Sequence, residues 1–498
     1  MELQFNKTAI PCLKQVAREV QNQEVTQEIR LSDALPDIGK VLGAWGQILI
    51  RSKEWRTGEM GLSGGVMVFV LYAPEDGSEP RSVESWLPFQ MKWNIPDSQR
   101  DGTMLVSGLL RGVDARSTSA RKLMVRCNVS VLGEGMEPAQ VDVYSPGEVP
   151  EDVQLLRRNY PVKLPQEAGE KAFVVEEQLE MPASIPSVDK IIRYELLPEL
   201  IDQKVMAGKV VFRGAAIVRV LYRTEDGTMG AKDFEIPFSQ YTDLEREYDQ
   251  ESDARVTMAV TSLELDTGDD DTLLLKAGLV GQYVVFDRPV IEVVEDAYSP
   301  TRAVSPRMEE AALPMVLDDR VQTVHAQANI ETGGNVLDMA FYPDHPRLRR
   351  GADTVEMELT GIFHVLSSDG AGVLQSGSGR WEESWSLPSD AESRIEGAVR
   401  LSGKPQCTAM GENASVRADL VVQAQTLGEA GLPMVTALEL GEALQPDPNR
   451  PSLILRRAGE ERLWDMAKQC GSTVDAIRKA NHLTDEPASG QYLLIPVS

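Results

Sequence analysis

The chain has 498 residues, too many for one hydrophobic core, so its length predicts several domains of about 100 to 150 residues each. Hydrophobic residues make up 42% of it and charged residues 26%, a composition that excludes a disordered chain. The formal net charge of -27 disfavours nucleic acid and anionic membranes as direct partners, because an acidic protein repels their phosphates.

The amino-terminal sequence MELQFNKTAIPCLKQVAREV lacks the apolar segment of a secretion signal. The longest apolar run, GGVMVFVLYA from Gly64, is shorter than the roughly 18 residues of a membrane helix. Four dispersed cysteines fit neither a disulfide framework nor a zinc cluster, and no glycine-rich phosphate loop is present. We therefore expect a cytoplasmic protein with no transmembrane anchor, metal or cofactor.

One sequence pattern occurs three times at intervals near 150 residues. VLYAPEDG begins at Val70 and VLYRTEDG at Val220, and LPDIGKVL from Leu35 aligns with IPSVDKII from Ile185. A more diverged copy, GIFHVLSSDG, begins at Gly361. Such a long period indicates domain duplication followed by a proline-rich linker and a separate terminal domain. The predicted ranges are 1–150, 160–302, 308–440, 441–452 for the linker, and 453–498.

Within each copy the pattern is typical of strands. ARVTMAVTSLEL alternates apolar Val256, Met258 and Val260 with other residues, the period of a half-buried strand. The Asp226-Gly227 pair between apolar runs predicts a hairpin. A proline that recurs after an apolar residue predicts strand ends or sheet edges, at Pro88, Pro237 and Pro388. Each copy should be an antiparallel β-sandwich or barrel, and the chain mainly β.

The last 46 residues follow another pattern. LIL from Leu453 and LLIP from Leu493 predict two paired strands. Between them, one apolar helical face is predicted at Leu463, Met466, Ala467 and Cys470. A second helix should start at Ser472, in a capping box with Asp475, bury Val474 and Ile477, and end at Asn481. The prediction is a small βααβ domain.

The sequence from Leu463 to Leu483, with SGQYLLIP after it, resembles a LysM domain. In glycan-binding LysM domains, the loop before the first helix and the segment after the second form the sugar groove. Here that loop is GEER from Gly459, one residue longer than the family's Gly-Asp-Thr and charged. The resemblance assigns an interaction site to Gly459, Glu460, Glu461, Arg462, Trp464, Asn481, His482, Leu483, Gly490 and Gln491.

The repeated β units resemble SPOCS domains, and their order before a LysM domain is similar to SipL-like spore-coat morphogenesis proteins and to the related SpoVID. This resemblance implies a non-enzymatic adaptor that docks coat proteins, such as the SpoIVA ATPase, at the forespore surface in the mother-cell cytoplasm. It also implies that the LysM domain binds a protein. The alternative is a cell-wall protein that binds the N-acetylglucosamine of peptidoglycan.

Several other patterns have ordinary structural explanations. GLSGG around Ser63 matches a nucleophile elbow, but a strand follows it where a helix is required. The four histidines lack metal-ligand spacing, and DTGDDD from Asp266 lacks calcium-loop spacing. Trp381 and Trp385 share one strand face, where sheet packing is favoured over an aromatic sugar platform or an interface.

Overall fold

The computed structural model describes residues 1–98, 100–249, 251–268, 272–389, 393–445 and 451–497. Within these ranges the chain is mainly antiparallel β-structure, which confirms the predicted fold class. The two helices found there are short and lie near the carboxyl end. Among the described residues, no helix has the length and apolar character needed to cross a bilayer.

The strands form three successive units and a carboxyl-terminal module. The first unit contains β1 (Glu2–Gln4), β2 (Asn6–Arg30), β3 (Ile38–Arg56), β4 (Gly58–Pro74), β5 (Arg81–Ile95), β6 (Thr103–Ser119) and β7 (Lys122–Ser145). The second contains β8 (Gln154–Pro161), β9 (Leu164–Glu180), β10 (Val188–Met206), β11 (Lys209–Thr224), β12 (Met229–Asp243), β13 (Asp253–Thr267), β14 (Thr272–Asp287) and β15 (Val290–Tyr298). The third contains β16 (Arg302–Glu331), β17 (Asn335–Pro343), β18 (Arg347–Arg350), β19 (Thr354–Ser368), β20 (Leu374–Pro388), β21 (Ser393–Met410) and β22 (Asn413–Ala443). The module contains β23 (Leu453–Arg457), α1 (Leu463–Cys470), α2 (Val474–Asn481) and β24 (Tyr492–Pro496).

In the described residues the three units have the same strand order. One sheet of each unit places its last long strand in the middle, in the orders β2-β7-β6, β9-β14-β13 and β16-β22-β21. The other sheet is a meander, in the orders β3-β4-β5, β10-β11-β12 and β17-β19-β20. The strand β18 also pairs with β19, and β8 pairs with β15.

The middle strand of the first meander is buried on both faces. Every residue from Val66 to Tyr72 is at most 5% exposed, so the apolar run reads as continuous instead of alternating. Val66, Val68 and Val70 belong to the largest core cluster, while Met67 and Phe69 belong to the core cluster of the second unit. A buried side chain of this size contributes about 2 kcal/mol. The first and second units therefore share a core.

The predicted turns have the geometry that their residues require. In the second unit the hairpin loop after β11 contains Gly227 at φ +85°, and the Thr228 N–H donates to the Asp226 carboxylate at 3.0 Å. The equivalent loop of the first unit contains Gly77 at φ +74°. Positive φ favours glycine because it has no Cβ. The three recurrent prolines lie in β5, β12 and β20, which pair on only one side within the described part of the chain, as the edge prediction requires.

The units contact one another in a closed ring. The first strand of each meander packs on a strand of the other sheet of the next unit, so β3 contacts β13, β10 contacts β21, and β17 contacts β6. The ring is also closed through the chain start, because β1 pairs with β22 of the third unit. A further core cluster contains residues of all three units: Cys12 and Val141 from the first, Val162 and Ile291 from the second, and Leu432 from the third.

Buried charges lie where the units meet. Arg18 of the first unit pairs with Glu134 at 2.8 Å and with Glu396 of the third unit at 2.9 Å, while Arg255 of the second unit pairs with Glu134 at 2.5 Å. Burial alone would raise the pKa of Glu134, but Arg255 and Arg18 hold it below its ordinary value. The ionised carboxylate of Glu134 thus connects the first unit to the second through Arg255, and Arg18, its other partner, connects it to the third through Glu396.

The sequence did not predict these contacts between units. The proposed domain ranges remain a prediction, and β22 continues into the predicted linker as far as Ala443. Part of that linker, residues 446–450, lies outside the described residues.

Candidate functional site

The carboxyl-terminal module packs two helices on one face of a two-stranded sheet. β23 and β24 pair in antiparallel register, as predicted from Leu453 and Leu493. The module core contains Leu463, Met466, Ile477, Leu493 and Ile495, all 0% exposed. Helices of eight residues are too short to be stable alone, so this packing on the sheet maintains them.

The helix ends differ in detail from the prediction. Gly471 ends α1 in the left-handed conformation that glycine favours. The second helix is capped by Thr473, whose hydroxyl accepts from the Ala476 N–H at 3.1 Å, so the predicted start at Ser472 was wrong by one residue. The carboxyl cap is His482, at φ +54°, and not Asn481.

Asn481 has another role, which fastens α2 to β24. Its side-chain amide donates to the Leu494 carbonyl at 2.6 Å, and its carbonyl oxygen accepts from the Leu494 N–H at 2.7 Å. It also donates to the Ile477 carbonyl at 2.8 Å. The side chain therefore occupies both backbone groups of Leu494 that point away from β23.

The lengthened loop predicted as part of the groove is held mainly by internal contacts. Glu461 pairs with Arg456 at 2.8 Å, and Arg462 pairs with Asp465 at 3.0 Å. Glu486 accepts from the Leu463 N–H at 2.9 Å and so serves the amino end of α1 from the opposite loop. Sequence reasoning missed Glu486, because the helix acceptor comes from 23 residues further along the chain.

The opposite side of the predicted groove is also tied to the loop. The Gly490 N–H donates to the Ala458 carbonyl at 2.8 Å, and the Ala458 N–H donates to the Gln491 carbonyl at 2.7 Å. Leu483 packs partly buried against the module core. Gly459, Glu460 and His482 are exposed. The structure thus places the predicted residues in neighbouring loops, with most of them engaged in holding those loops together.

Trp464, which the sequence assigned to the interaction site, packs on the second unit. It is 7% exposed, its indole N–H donates to Asp296 at 2.9 Å, and its ring meets Tyr298 edge-on at a centroid distance of 4.8 Å. Two further contacts join the module to the same strand, β15. Lys468 pairs with Asp296 at 2.7 Å, and the Tyr298 hydroxyl donates to the Ser472 carbonyl at 3.0 Å.

In the contact between the module and β15, each hydrogen-bond donor faces an acceptor. Burial, with the charge of Asp296, raises the pKa of Tyr298 to about 12, so the hydroxyl remains a neutral donor. Asp296 accepts from an indole and an ammonium, and both bonds involve its charge. Sequence reasoning did not identify this contact, which lies in the segment EDAYSP from Glu295. The signal for a contact was its aspartate and tyrosine, two residues apart on one strand.

A cleft of about 850 Å³ lies where the three units meet. Its walls include Leu105 and Gln47 of the first unit, Arg255 of the second and Phe341 of the third. Cleft charges pair with each other, as in the contact of Lys404 and Arg219 with Asp233 at 3.0 and 2.8 Å. The cleft is thus lined by residues of all three units.

The competing sequence patterns occupy structural positions. Ser63 lies in the middle of β4 with its hydroxyl 2.7 Å from that of Ser52, far from the strand-turn-helix of a nucleophile elbow. In the described ranges no group of three acidic, histidine or cysteine side chains is placed to hold a metal. The acidic segment 266–271 falls partly outside the described residues, which omit 269–271. Trp381 and Trp385 pack in or against the core of the third unit, which favours sheet packing.

Comparison with known proteins adds one match. Residues 187–267 match the family model described as SipL, SPOCS domain. The matched segment contains the meander β10-β11-β12 and the edge strand β13. No curated protein and no solved structure matches the chain. Residues 187–267 of the second unit are therefore similar to the SipL type of SPOCS domain, a domain related to sporulation.

Proposed function

We propose that this chain is a non-enzymatic adaptor in spore-coat assembly. It docks coat proteins, among them the SpoIVA ATPase, at the forespore surface on the mother-cell side. In this proposal all three units are SPOCS domains and the carboxyl-terminal module is a LysM domain that binds protein. The observation that carries the proposal is the SPOCS match at residues 187–267.

The shared strand order supports extending the SPOCS assignment to the first and third units. The segment equivalent to the match is β3 to β6 in the first unit and β17 to β21 in the third, with the same pairing. Three joined units and a module on one chain offer several surfaces to a polymerising coat layer. Binding through more than one of them raises the effective concentration of each.

The internal contacts of the module support a protein partner over a glycan. Glu461 is paired with Arg456 and Glu486 is bonded to Leu463, so polar groups beside the predicted groove are already engaged. A sugar would have to compete with these bonds for its own. Trp464 is buried against Asp296 and offers no stacking face to a sugar.

The test is retention of purified SpoIVA on the immobilised chain. Full-length chain should retain it, while a chain ending at Pro451 should lose most of the binding because the module is absent. Equal retention by both chains would contradict docking through the module. The control is a full-length Tyr241→Ala variant, which alters an exposed side chain, 55% accessible, far along the sequence from the module.

The alternative function predicts a different result in a second assay. If the module binds peptidoglycan, the full-length chain should sediment with purified sacculi and the chain ending at Pro451 should not. We expect neither chain to sediment. Sedimentation that depends on the module would replace the adaptor proposal with the cell-wall function.

A further inference from the structure

The two edges of the module sheet are not equivalent. In an antiparallel pair, alternate residues direct their N–H and C=O groups towards the partner strand and the others direct them outward. Val497 donates to the Ser452 carbonyl and Ala458 donates to that of Gln491, which fixes the even-numbered residues of β23 as the ones facing β24. The backbone groups of Leu453, Leu455 and Arg457 therefore point outward.

The outer edge of β24 is occupied, whereas that of β23 is open. Asn481 takes both outward backbone groups of Leu494. Pro496, the next outward residue, has no N–H to offer. Among the described residues, β23 pairs with β24 alone, and it has no proline or bulge to prevent further pairing.

An apolar surface borders this open edge. Leu453 is 51% exposed and Leu455 64%, and across the register lie Leu494 at 40% and Tyr492 at 67%. They share the sheet face opposite the helices, since Leu493 and Ile495 on the other face are fully buried. We call these four residues the outer sheet face. Clusters of exposed apolar side chains on a soluble protein mark interaction sites.

One unmatched positive charge lies at the end of the outer sheet face. Arg457 stands opposite Tyr492, and its side chain donates to the Gly490 carbonyl at 3.3 Å. In the described part of the chain it has no carboxylate within ion-pair distance, whereas Arg456 and Arg462 each have one. A carboxylate on the partner would complement it.

We propose that β23 is a docking strand, which binds an extended segment of a partner protein by strand addition. The partner segment pairs with the outward backbone groups of Leu453, Leu455 and Arg457. Its alternate apolar side chains cover the outer sheet face, and a carboxylate near one end meets Arg457. This mode obtains affinity from backbone bonds and specificity from side-chain contacts. The inference rests on the proposed function and assigns its docking to a face other than the predicted groove.

The first measurement is amide exchange of the full-length chain, free and bound to SpoIVA. In the free chain the Leu453, Leu455 and Arg457 amides should exchange fast, because water reaches them. In the complex they should become protected, while the Glu460 and Gly459 amides in the predicted groove change little. A chain that protects these amides on its own, in a concentration-dependent dimer, would show that the occupant is a second copy and overturn the proposal.

The second measurement is affinity. Leu455→Pro removes one outward N–H that makes no bond within the sheet, and Leu494→Glu places a charge on the outer sheet face; each should weaken SpoIVA binding by about tenfold or more. Leu348→Glu is the matched control, an exposed leucine at 38% on the edge strand β18, and should bind normally. Unchanged exchange of residues 463–470 verifies that each variant module is folded.

The outcomes separate the two proposals. If the chain ending at Pro451 loses SpoIVA while Leu455→Pro and Leu494→Glu retain it, the module docks by another face and strand addition is wrong. If the truncated chain binds as well as the full-length chain, the proposed function itself fails.

Discussion

The joint between the second and third units depends on one buried carboxylate, Asp338. It is 0% exposed and accepts from Arg193, which is 1% exposed, and from Arg219 at 2.6 Å. Burial alone would raise the pKa of Asp338, but the two guanidinium groups outweigh it and hold it below its ordinary value. At neutral pH the aspartate is thus charged and doubly bonded. The informative perturbation is Asp338→Ala.

The expected loss follows from what the two arginines retain. Arg193 keeps Glu195 at 2.9 Å and the Met339 carbonyl at 3.2 Å, so its charge is not wholly uncompensated. Arg219 keeps Asp233 at 2.8 Å and is 17% exposed, so it can turn towards water in the cleft. Removing one partner of a buried ion pair costs about 3 to 5 kcal/mol. We expect Asp338→Ala to lower the free energy of unfolding by about 4 kcal/mol.

The assay is urea unfolding at pH 7, followed by tryptophan fluorescence. Trp45 reports on this joint, because the Arg193 guanidinium lies 5.3 Å from its ring. The control is Asp243→Ala, which removes the exposed partner of Lys209 and should leave the transition unchanged. A loss below about 1 kcal/mol for Asp338→Ala would refute the view that this carboxylate holds the units together. The contribution of Asp338 to the free energy of unfolding should be fully present above the pKa of aspartate in the unfolded chain. It should be lost as the pH falls through the lower pKa that Asp338 has in the folded chain.

Two further predictions concern the module joint and a buried histidine. Asp296→Ala removes the acceptor of Trp464 and the partner of Lys468, so docking of the module on β15 should weaken by about 2 kcal/mol, measured as faster amide exchange and proteolysis at residues 463–470. Unchanged exchange there would contradict the proposed role of Asp296. Burial lowers the pKa of His345 to about 4, while its Nε2–H donates to the Ser107 carbonyl at 3.0 Å. In the unfolded chain the imidazole is protonated near pH 6.5, whereas in the folded chain it is protonated only near pH 4. The free energy of unfolding should therefore fall by about 3 kcal/mol as the pH is lowered through that interval. His345→Gln should remove that slope; an unaltered slope would place its origin in other groups.

Local features of this chain were predictable because they depend on neighbouring residues. Alternation in ARVTMAVTSLEL indicated β13. The bulge between Val260 and Ser262, however, moves the buried positions from even-numbered residues such as Val256 to the odd-numbered Leu263 and Leu265, a change that alternation does not predict. Asp-Gly and recurrent proline indicated turns and edges because their backbone requirements are intrinsic. The βααβ order followed from the spacing of apolar residues around Leu463.

What the tertiary structure decided is which of these surfaces meet. Nothing beside Asp338 in the sequence indicates Arg193, 145 residues away, as its partner. The LysM resemblance assigned Trp464 to the interaction site, whereas its burial was decided by its contact with Asp296, a residue of another unit. The open edge of β23 depends on Asn481 reaching β24 and not β23. Sequence patterns determine the strands, helices and turns, because backbone preferences and hydrophobic periodicity involve only a few neighbouring residues. Contacts between units join residues far apart in the sequence, so only the folded chain determines which of them meet.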